Sequence, residues 1–377
     1  MASARSAAPS GSAGSSALRD LKVQPRRADS SSVRRHLRRL RLSSGFGLLF
    51  ASGATIACAM LAAGAGHAAP TRSGSTRALA ADLRQHRAAL FGVTTSLRRG
   101  DTGPLEGVAR AAGKAPGLVN VYRSFVDPFD GSLLREITST GALPMVTWEP
   151  WRAGRGVRQP AFALRRIGAG AYDRYVGKWA QAAAAYGRPL LLRFAPEMNG
   201  DWTPWSAGAN GNTTTEYVRA WRHVHDLFVR AGASNVAWVW SPNVVFAGSA
   251  PLAKLYPGDA YVDWIGIDGY NWGTSRAGRQ WLRFEQVFGR TLRQVRRLAH
   301  KPLMLSEVAS SERGGDKAAW IEDFFRALAH NHDVLAFVWF DFDKETDWRI
   351  GSSSAARSAF ARGVAATRYR GAARVGG

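Results

Sequence analysis

Three observations predict that most of this chain folds as a (β/α)₈ TIM barrel. Between residues 89 and 342 the sequence contains eight short, almost continuously apolar segments, which is typical of parallel strands buried on both faces. Amphipathic helical patterns lie between them. Tryptophans and carboxylates gather directly after several of these segments, at the end of the barrel where active sites form. An open doubly wound sheet is the alternative, but Phe91-Gly-Val-Thr-Thr-Ser offers no glycine-rich nucleotide loop after the first strand.

Local composition and helix-terminating residues predict the individual strands and helices. The predicted strands are Ala89–Thr95, Leu118–Phe125, Leu143–Trp148, Leu190–Ala195, Asn235–Ser241, Val262–Gly269, Pro302–Glu307 and Leu335–Phe342. The clearest predicted helices are Pro160–Tyr186, Thr214–Ala231, Arg279–Leu298 and Lys317–Ala329. Thr213 and Glu216 have capping-box spacing, and Gly187 and Gly232 follow two helices as C-terminal glycines do. Together these elements predict a single catalytic domain over residues 88–370.

The residues before the barrel differ in composition. Residues 1–43 are rich in Ser, Ala, Gly and Arg, which predicts a basic disordered region. Residues 44–69 lie within an uncharged, largely apolar run, and residues 70–87 are predicted to be a linker. Residues 1–69 carry ten basic and two acidic side chains, so they hold about a third of the formal net charge of +23.

The apolar run follows a cluster of five arginines and ends in small residues, which is the order of a secretory signal. It is also long enough to remain as a membrane anchor over residues 44–66, or to form a buried core helix. In the first two cases the barrel works outside the cytoplasm, secreted or held by one N-terminal helix, and we expect a monomer.

Composition also limits the function. Cys58 is the only cysteine, which excludes an internal disulfide framework and cysteine-rich metal sites. The eight histidines form no recognisable metal set, so we predict neither a metal nor a cofactor. The arginines after residue 70 are scattered among acids instead of clustered, which argues against nucleic acid as a partner.

The strand ends carry the candidate chemistry. Glu197 and Glu307 each follow or end an apolar strand that can hold them rigidly, and hydrolysis of a glycosidic bond requires two such carboxyl groups. Indole rings stack on the flat faces of sugars, while Asn and Arg side chains bond hydroxyl groups. The candidate substrate-binding residues are therefore Trp148, Arg193, Asn199, Trp202, Trp205, Tyr270, Trp272 and Trp339. For any single tryptophan, core packing is the alternative.

The segment Arg193–Trp205 resembles glycoside hydrolase family 26, the family of β-mannanases and related β-glycanases. Glu197-Met-Asn-Gly-Asp-Trp202 matches the fourth-strand motif, and Asp263–Trp272, Lys301–Glu307 and Val338–Asp341 add support. The resemblance covers roughly residues 88–365 and implies a (β/α)₈ barrel with a retaining mechanism.

The resemblance implies roles for individual residues. Glu197 would be the acid/base and Glu307 the nucleophile, with Tyr270 bonded to the nucleophile. Trp339 would form the platform under the cleaved sugar, and Trp202 and Trp205 would flank the acid/base. The family usually has His before the acid/base, whereas this chain has Pro196, which makes a β-glucan or another polysaccharide more plausible relative to mannan.

The sequence thus predicts an extracytoplasmic, retaining endo-β-glycosidase that acts on a polysaccharide of β-mannan or β-glucan type. The alternative is a non-hydrolytic polysaccharide-binding barrel that assists the synthesis of cell-surface polysaccharide.

Overall fold

The computed structural model describes residues 73–372, in which eight parallel strands close into a barrel. Each strand pairs with its neighbours in chain order, and β1 pairs with both β2 and β8, which closes the sheet. The strands are β1 Ala89–Thr94, β2 Leu118–Ser124, β3 Leu143–Glu149, β4 Leu190–Phe194, β5 Val236–Trp240, β6 Trp264–Asn271, β7 Leu303–Ser310 and β8 Val334–Phe340. A two-residue strand, β9 Tyr369–Arg370, also pairs with β1. The predicted (β/α)₈ barrel is confirmed.

All eight predicted barrel strands are present, most with bounds that differ by one or two residues. The largest difference is at β7, which continues three residues beyond Glu307 to Ser310. The β6–β7 register shifts between Ile267 and Asp268, and Asp268 then pairs with Glu307. This irregularity brings two acidic residues side by side near the end of the barrel where the strands terminate.

Helices cover the outside of the barrel. They are α1 Ser73–Gln85, α2 Gly103–Ala112, α3 Gly131–Ser139, α4 Leu164–Gly168, α5 Asp173–Tyr186, α6 Thr214–Arg230, α7 Leu252–Leu255, α8 Arg290–Leu298, α9 Lys317–His330 and α10 Ser354–Ala365. The predicted capping box is formed, because Thr213 accepts from the backbone of Glu216 and the Glu216 side chain accepts in return. Gly187 adopts the left-handed conformation that ends α5, as predicted.

Two predicted helices differ from the structure. The single helix expected over Pro160–Tyr186 is divided into a 3₁₀ turn, α4 and α5, because Gly170 has a φ of 88° that a continuing helix cannot adopt. The helix expected from Arg279 begins only at Phe284 with one π turn, Glu285–Gly289. Residues 279–283 remain outside it, and the backbone N–H of Leu282 donates instead to the Asn271 side chain.

Helix α1 lies in the segment that the sequence predicted as a linker. Its Ala80 and Leu83 are buried against residues from the interior of the barrel, among them Leu118 and Met304. Burial of this apolar face stabilises the helix, and it covers the end of the barrel opposite the strand termini. The predictions for residues 1–43 and 44–69 lie outside the described residues.

Side chains of the barrel strands alternate between the barrel interior and the helix layer. In β8, Ala336 and Val338 belong to the interior cluster, whereas Phe337 and Trp339 pack against the helices. This alternation decides which residues can reach a cleft at the end of the barrel. Among residues 73–372, no helix combines the length and the apolar composition needed to span a bilayer.

Candidate active site

Three carboxylates converge at the end of the barrel where the strands terminate. They are Glu197, which follows β4, Asp268 in β6 and Glu307 in β7. Each offers one oxygen atom, and these three oxygens lie within 4.8 Å of one another. Because the barrel brings residues that are 110 positions apart in sequence to one point, the two predicted glutamates form a pair.

Glu307 is held by three donors. Its Oε1 accepts from Arg193 Nη1 at 2.6 Å and from the Tyr122 hydroxyl at 2.5 Å, and its Oε2 accepts from the Tyr270 hydroxyl. Burial alone would raise the pKa of Glu307, but the Arg193 guanidinium and the two hydroxyl groups outweigh burial and lower the pKa. Glu307 is therefore stabilised as a carboxylate.

Glu197 has neutral hydrogen-bond partners instead. Its Oε2 accepts from Trp202 Nε1 at 2.7 Å, and its Oε1 accepts from Asn243 Nδ2 at 2.6 Å. Burial, followed by the nearby charge of Glu307, raises the pKa of Glu197. The two glutamates thus have pKa values displaced in opposite directions, which separates a proton donor from an ionised partner.

The backbone at Glu197 is in an uncommon conformation. Ala195 and Glu197 have φ angles of 44° and 56°, in the left-handed region that residues with a Cβ rarely adopt. A 2.7 Å hydrogen bond from the Glu197 N–H to the Ser241 carbonyl oxygen holds this turn. Strain of this kind persists where surrounding contacts impose it, and here it directs the side chain towards Glu307.

Arg193 connects the acidic residues. Its guanidinium is fully buried, and it contacts Asp268 through Nη2, and Glu307 and Thr147 through Nη1. Asp268 also accepts from the Ser241 and Ser306 hydroxyls at 3.0 and 2.8 Å. Although three carboxylates could ligate a cation, the guanidinium already supplies positive charge to two of them, so we assign no metal here.

Asn199 was predicted to bind substrate, but its side chain is bonded inside the protein. Its side chain donates to the Asn243 carbonyl oxygen and accepts from the Asn243 N–H, both at 2.9 Å, and it is 1% exposed. With both ends of the amide occupied inside the protein, Asn199 holds Asn243 instead of contacting a sugar. Arg193, likewise buried, contacts carboxylates and not the cleft surface.

Three tryptophans predicted to bind substrate have no accessible face, and the platform predicted at Trp339 is wrong. Trp148 is fully buried and stacks on Trp179 with ring centroids 4.4 Å apart. Trp339 is also fully buried in the helix layer, and its Nε1 donates to the Trp348 carbonyl oxygen. Trp205 is 1% exposed, and its Nε1 donates to the Pro196 carbonyl oxygen at 2.5 Å. A side chain with no accessible face cannot stack on a sugar ring.

The other predicted aromatic residues keep accessible surface. Trp202, Tyr270 and Trp272 are half-buried, and Trp202 lies 5.6 Å from the exposed ring of Phe246. The guanidinium of Arg276 covers one face of Trp272, 3.8 Å from the ring centroid. Trp202 and Phe246 together present an aromatic surface beside Glu197.

Two functional candidates were not predicted from sequence. Tyr122 lies inside β2, two residues before its end, where nothing in the local pattern separates it from an ordinary strand residue. Asn243 follows β5 in Trp240-Ser-Pro-Asn, and its position after a strand was the only signal that could have identified it. Both reach the carboxylate pair only because the barrel closes.

Similarity to known proteins agrees with this architecture. Residues 159–301 match the model of Glycosyl hydrolase family 26. The chain is 41% identical over 236 residues to Endoglucanase H of Acetivibrio thermocellus, covering 61% of this chain and 25% of that protein. It is 25% identical over 217 residues to Beta-1,3-xylanase TXYA of a Vibrio species, covering 49% of this chain and 42% of that protein. The chain thus spans less than half the length of either relative.

Solved structures share the fold. The catalytic domain of the GH26 endo-beta-1,4-mannanase from Bacillus sp. JAMB-750 aligns with a TM-score of 0.65 and 20% identity, covering 82% of this chain and 93% of that one. At this identity the likeness establishes the barrel alone. The family model over residues 159–301, the identity to Endoglucanase H and the shared barrel therefore all support the resemblance to glycosyl hydrolase family 26 that the sequence motifs indicate.

Proposed function

We propose that this protein is an endo-acting, retaining β-glycosidase that hydrolyses a polysaccharide. The observation that carries the proposal is the pair of converging glutamates, of which Glu197 has a raised pKa and Glu307 a lowered one. A glycosidase requires this division, since one carboxyl group must donate a proton while the other is ionised.

Separation of the pair supports retention of configuration. One carboxylate oxygen of Glu197 lies within 4.8 Å of one carboxylate oxygen of Glu307. Retaining enzymes have carboxyl groups about 5–5.5 Å apart, whereas inverting enzymes leave about 6.5–9.5 Å for a water molecule. The shorter separation favours direct attack by a carboxylate.

The reaction then proceeds in two steps. Glu307 attacks the anomeric carbon, the bond to the leaving oxygen breaks, and Glu197 transfers its proton to that oxygen. In the second step Glu197 accepts a proton from water, the water oxygen bonds to the anomeric carbon, and the Glu307 carboxylate is released. Arg193, Tyr122 and Tyr270 stabilise Glu307 each time it becomes anionic.

A β-glucan is the substrate that we propose. The 41% identity to a protein named Endoglucanase H supports it. Pro196 replaces the histidine usual in this family and removes a polar side chain beside the acid/base. The non-hydrolytic alternative has less support, because a pure binding site gains nothing from one protonated and one ionised carboxyl group.

We also propose that the barrel acts outside the cytoplasm. The support is the order of residues 34–69, an arginine cluster followed by an apolar run and small residues. Cell fractionation with an antibody against the barrel tests this location, and recovery of the protein only from the cytoplasm would contradict it.

The activity is tested by release of reducing ends from mixed-linkage β-glucan, glucomannan and mannan. Nuclear magnetic resonance of the first product anomer separates retention from inversion. We expect β-glucan cleavage with the β-anomer formed first. Initial formation of the α-anomer would overturn the mechanism, and binding without cleavage of any glycan would overturn the proposed activity.

A further inference from the structure

The segment after β3 is strongly basic. From residue 150 to residue 172 the sequence contains no Asp or Glu and has five arginines: Arg152, Arg155, Arg158, Arg165 and Arg166. All five are exposed. Within residues 73–372 none of their guanidinium groups forms an ion pair, which leaves this positive charge available to an external anion.

This basic segment has a defined shape. The Gln159 side chain is 8% exposed and bonds the backbone of Arg152 and Gly156. Gln159 and Asn210 also exchange two hydrogen bonds of 3.0 and 2.7 Å, which join the segment to the loop after β4. Because the backbone is fixed at these points, less entropy is lost when the arginines bind a ligand.

A surface cavity of about 460 Å³ lies between the two loops. Arg158, Arg165 and Asn210 contribute to its lining. A Cβ atom built on Gly211 would lie 3.6 Å from Arg165 Nη1, so this guanidinium faces the loop after β4. The cavity therefore brings together two guanidinium groups that form no ion pair, and the Asn210 amide, bonded at both ends to Gln159, holds its wall in place.

The cavity is on the same end of the barrel as the glutamates. Both loops follow barrel strands, and the loop after β4 also carries Glu197. The two loops pack against each other nearer the catalytic centre, where Trp151 and Trp205 lie 5.5 Å apart and Trp205 donates to Pro196. A polymer bound across Glu197 can reach this cavity by extending along the same face.

We propose that this cavity is a subsite for a negatively charged sugar unit, so that the β-glucan substrate carries acidic groups. Guanidinium groups bind carboxylate and sulfate oxygens through paired N–H donors, and a cleft edge of one charge sign concentrates such chains. The assignment rests on the proposed function, since it requires a glycan in the cleft. Carboxylate and sulfate share this chemistry, and separate probes distinguish them.

The test measures binding by the full chain carrying Glu307→Gln, which prevents turnover. The probes are carboxymethylcellulose, cellulose sulfate and neutral hydroxyethylcellulose, which share one β-glucan backbone. Arg158→Gln/Arg165→Gln is compared with Arg230→Gln/Arg297→Gln, a pair of exposed arginines in the last turns of α6 and α8, at the opposite end of the barrel. Both double variants remove the same charge, so only its location differs.

We expect Arg158→Gln/Arg165→Gln to weaken binding of at least one anionic probe by about tenfold, as expected for two partly screened charge contacts. The Arg230/Arg297 variant should change it less than about twofold, and neutral hydroxyethylcellulose should respond to neither. The probe that loses affinity identifies the anion. Equal losses in both variants would overturn the subsite, because they would show attraction by net charge alone.

Failure of the proposed activity would be recognised separately. Hydrolysis of neutral mixed-linkage β-glucan, carboxymethylcellulose and cellulose sulfate by the unaltered protein is measured in parallel. If none of these polysaccharides is hydrolysed, but Arg158→Gln/Arg165→Gln alone weakens binding of an anionic probe, only the proposed activity is wrong. If the protein hydrolyses polysaccharide and both double variants lose the same affinity for the anionic probes, only the assignment of the subsite is wrong.

Discussion

Arg193 donates from Nη1 to Glu307 Oε1 over 2.6 Å inside the barrel, where the arginine has no accessible surface. The same guanidinium also contacts Asp268, which binds two serine hydroxyls. A buried cation thus lies between two acidic side chains and favours the ionised form of the one that faces the cleft. Glu197 lacks this contact and has a raised pKa.

The first prediction concerns Glu197. Glu197→Ala should lower kcat on polysaccharide by roughly 10²–10⁴-fold, because the leaving sugar must be protonated. The loss in the glycosylation step should be much smaller on an aryl glycoside with an acidic phenol, which departs without protonation. Pre-steady-state and steady-state rates on both substrates provide the measurement. An equal loss of the glycosylation rate on both substrates would contradict the acid role of Glu197. The control is Glu285→Gln, which alters an exposed ion pair and should leave both rates unchanged.

The second prediction concerns Tyr122, whose hydroxyl helps to lower the pKa of Glu307. Glu307 must be ionised to attack, so activity falls as the pH drops through its pKa. Tyr122→Phe should raise that pKa and move the acid limb of the kcat/KM profile to higher pH. Tyr186→Phe, which removes a hydroxyl bonded to Thr138, should leave the limb in place. An unmoved limb in Tyr122→Phe would refute the contribution.

The third prediction concerns the stability of the buried charges. Arg193→Met leaves Asp268 and Glu307 without their cation and should lower the free energy of unfolding by roughly 3–5 kcal/mol. Arg293→Met breaks an ion pair that is more than half exposed, and it should cost no more than about 1 kcal/mol. Urea denaturation of both variants measures the difference, and similar losses would be inconsistent with this account.

The fourth prediction concerns Gly200, which packs against the indole of Trp202. A Cβ atom at position 200 would lie 2.6 Å from that ring, so Gly200→Ala must displace the donor to Glu197. We expect kcat to fall roughly 10–100-fold. Gly177→Ala in α5 meets no atom within 4 Å and should stabilise the protein by about 0.5–1 kcal/mol with kcat unchanged. Full activity in Gly200→Ala would show that the indole can shift without consequence.

The fifth prediction compares Trp202 and Trp339, which the sequence analysis both assigned to substrate binding. Trp202→Phe removes a donor that lowers the pKa of Glu197, so that pKa should rise further. Since Glu197 donates its proton in the first step, the basic limb of the profile should move to higher pH. Trp339→Phe should reduce stability through lost packing and a lost hydrogen bond, with the profile unchanged. A raised KM in Trp339→Phe without loss of stability would restore its predicted role as a platform.

Local sequence was sufficient for the barrel strands and for the two glutamates. Runs such as Leu190–Phe194 are apolar at every position except Arg193, because a strand covered by helices outside and by the barrel interior inside has no solvated face. A glutamate directly after such a run is costly to bury and therefore stands out, as Glu197 does. Because active sites of TIM barrels lie where the strands terminate, both glutamates were predicted at that end of the barrel.

Side-chain direction could not be obtained in the same way. Trp339 and Phe340 are adjacent and both apolar, yet Trp339 faces the helices and Phe340 lies against Tyr270. Eight tryptophans lie at or just beyond the predicted strand ends: Trp148, Trp151, Trp202, Trp205, Trp240, Trp272, Trp339 and Trp348. Of these, only Trp151, Trp202 and Trp272 keep accessible surface. In a strand buried on both faces, composition does not reveal which face a residue joins.

The sequence by itself determined the alternation of strands and helices, the family motif and the positions of Glu197 and Glu307, because each of these is encoded within a few neighbouring residues. The family resemblance already implied that Tyr270 bonds Glu307 and that Trp202 flanks Glu197, as the structure has them. Only the tertiary structure decided that Tyr122 and Arg193 also bind Glu307 and that Asn243 binds Glu197. These partners come from different strands and the loops that follow them. Their opposite effects on the two pKa values arise from distances that exist only after the barrel closes.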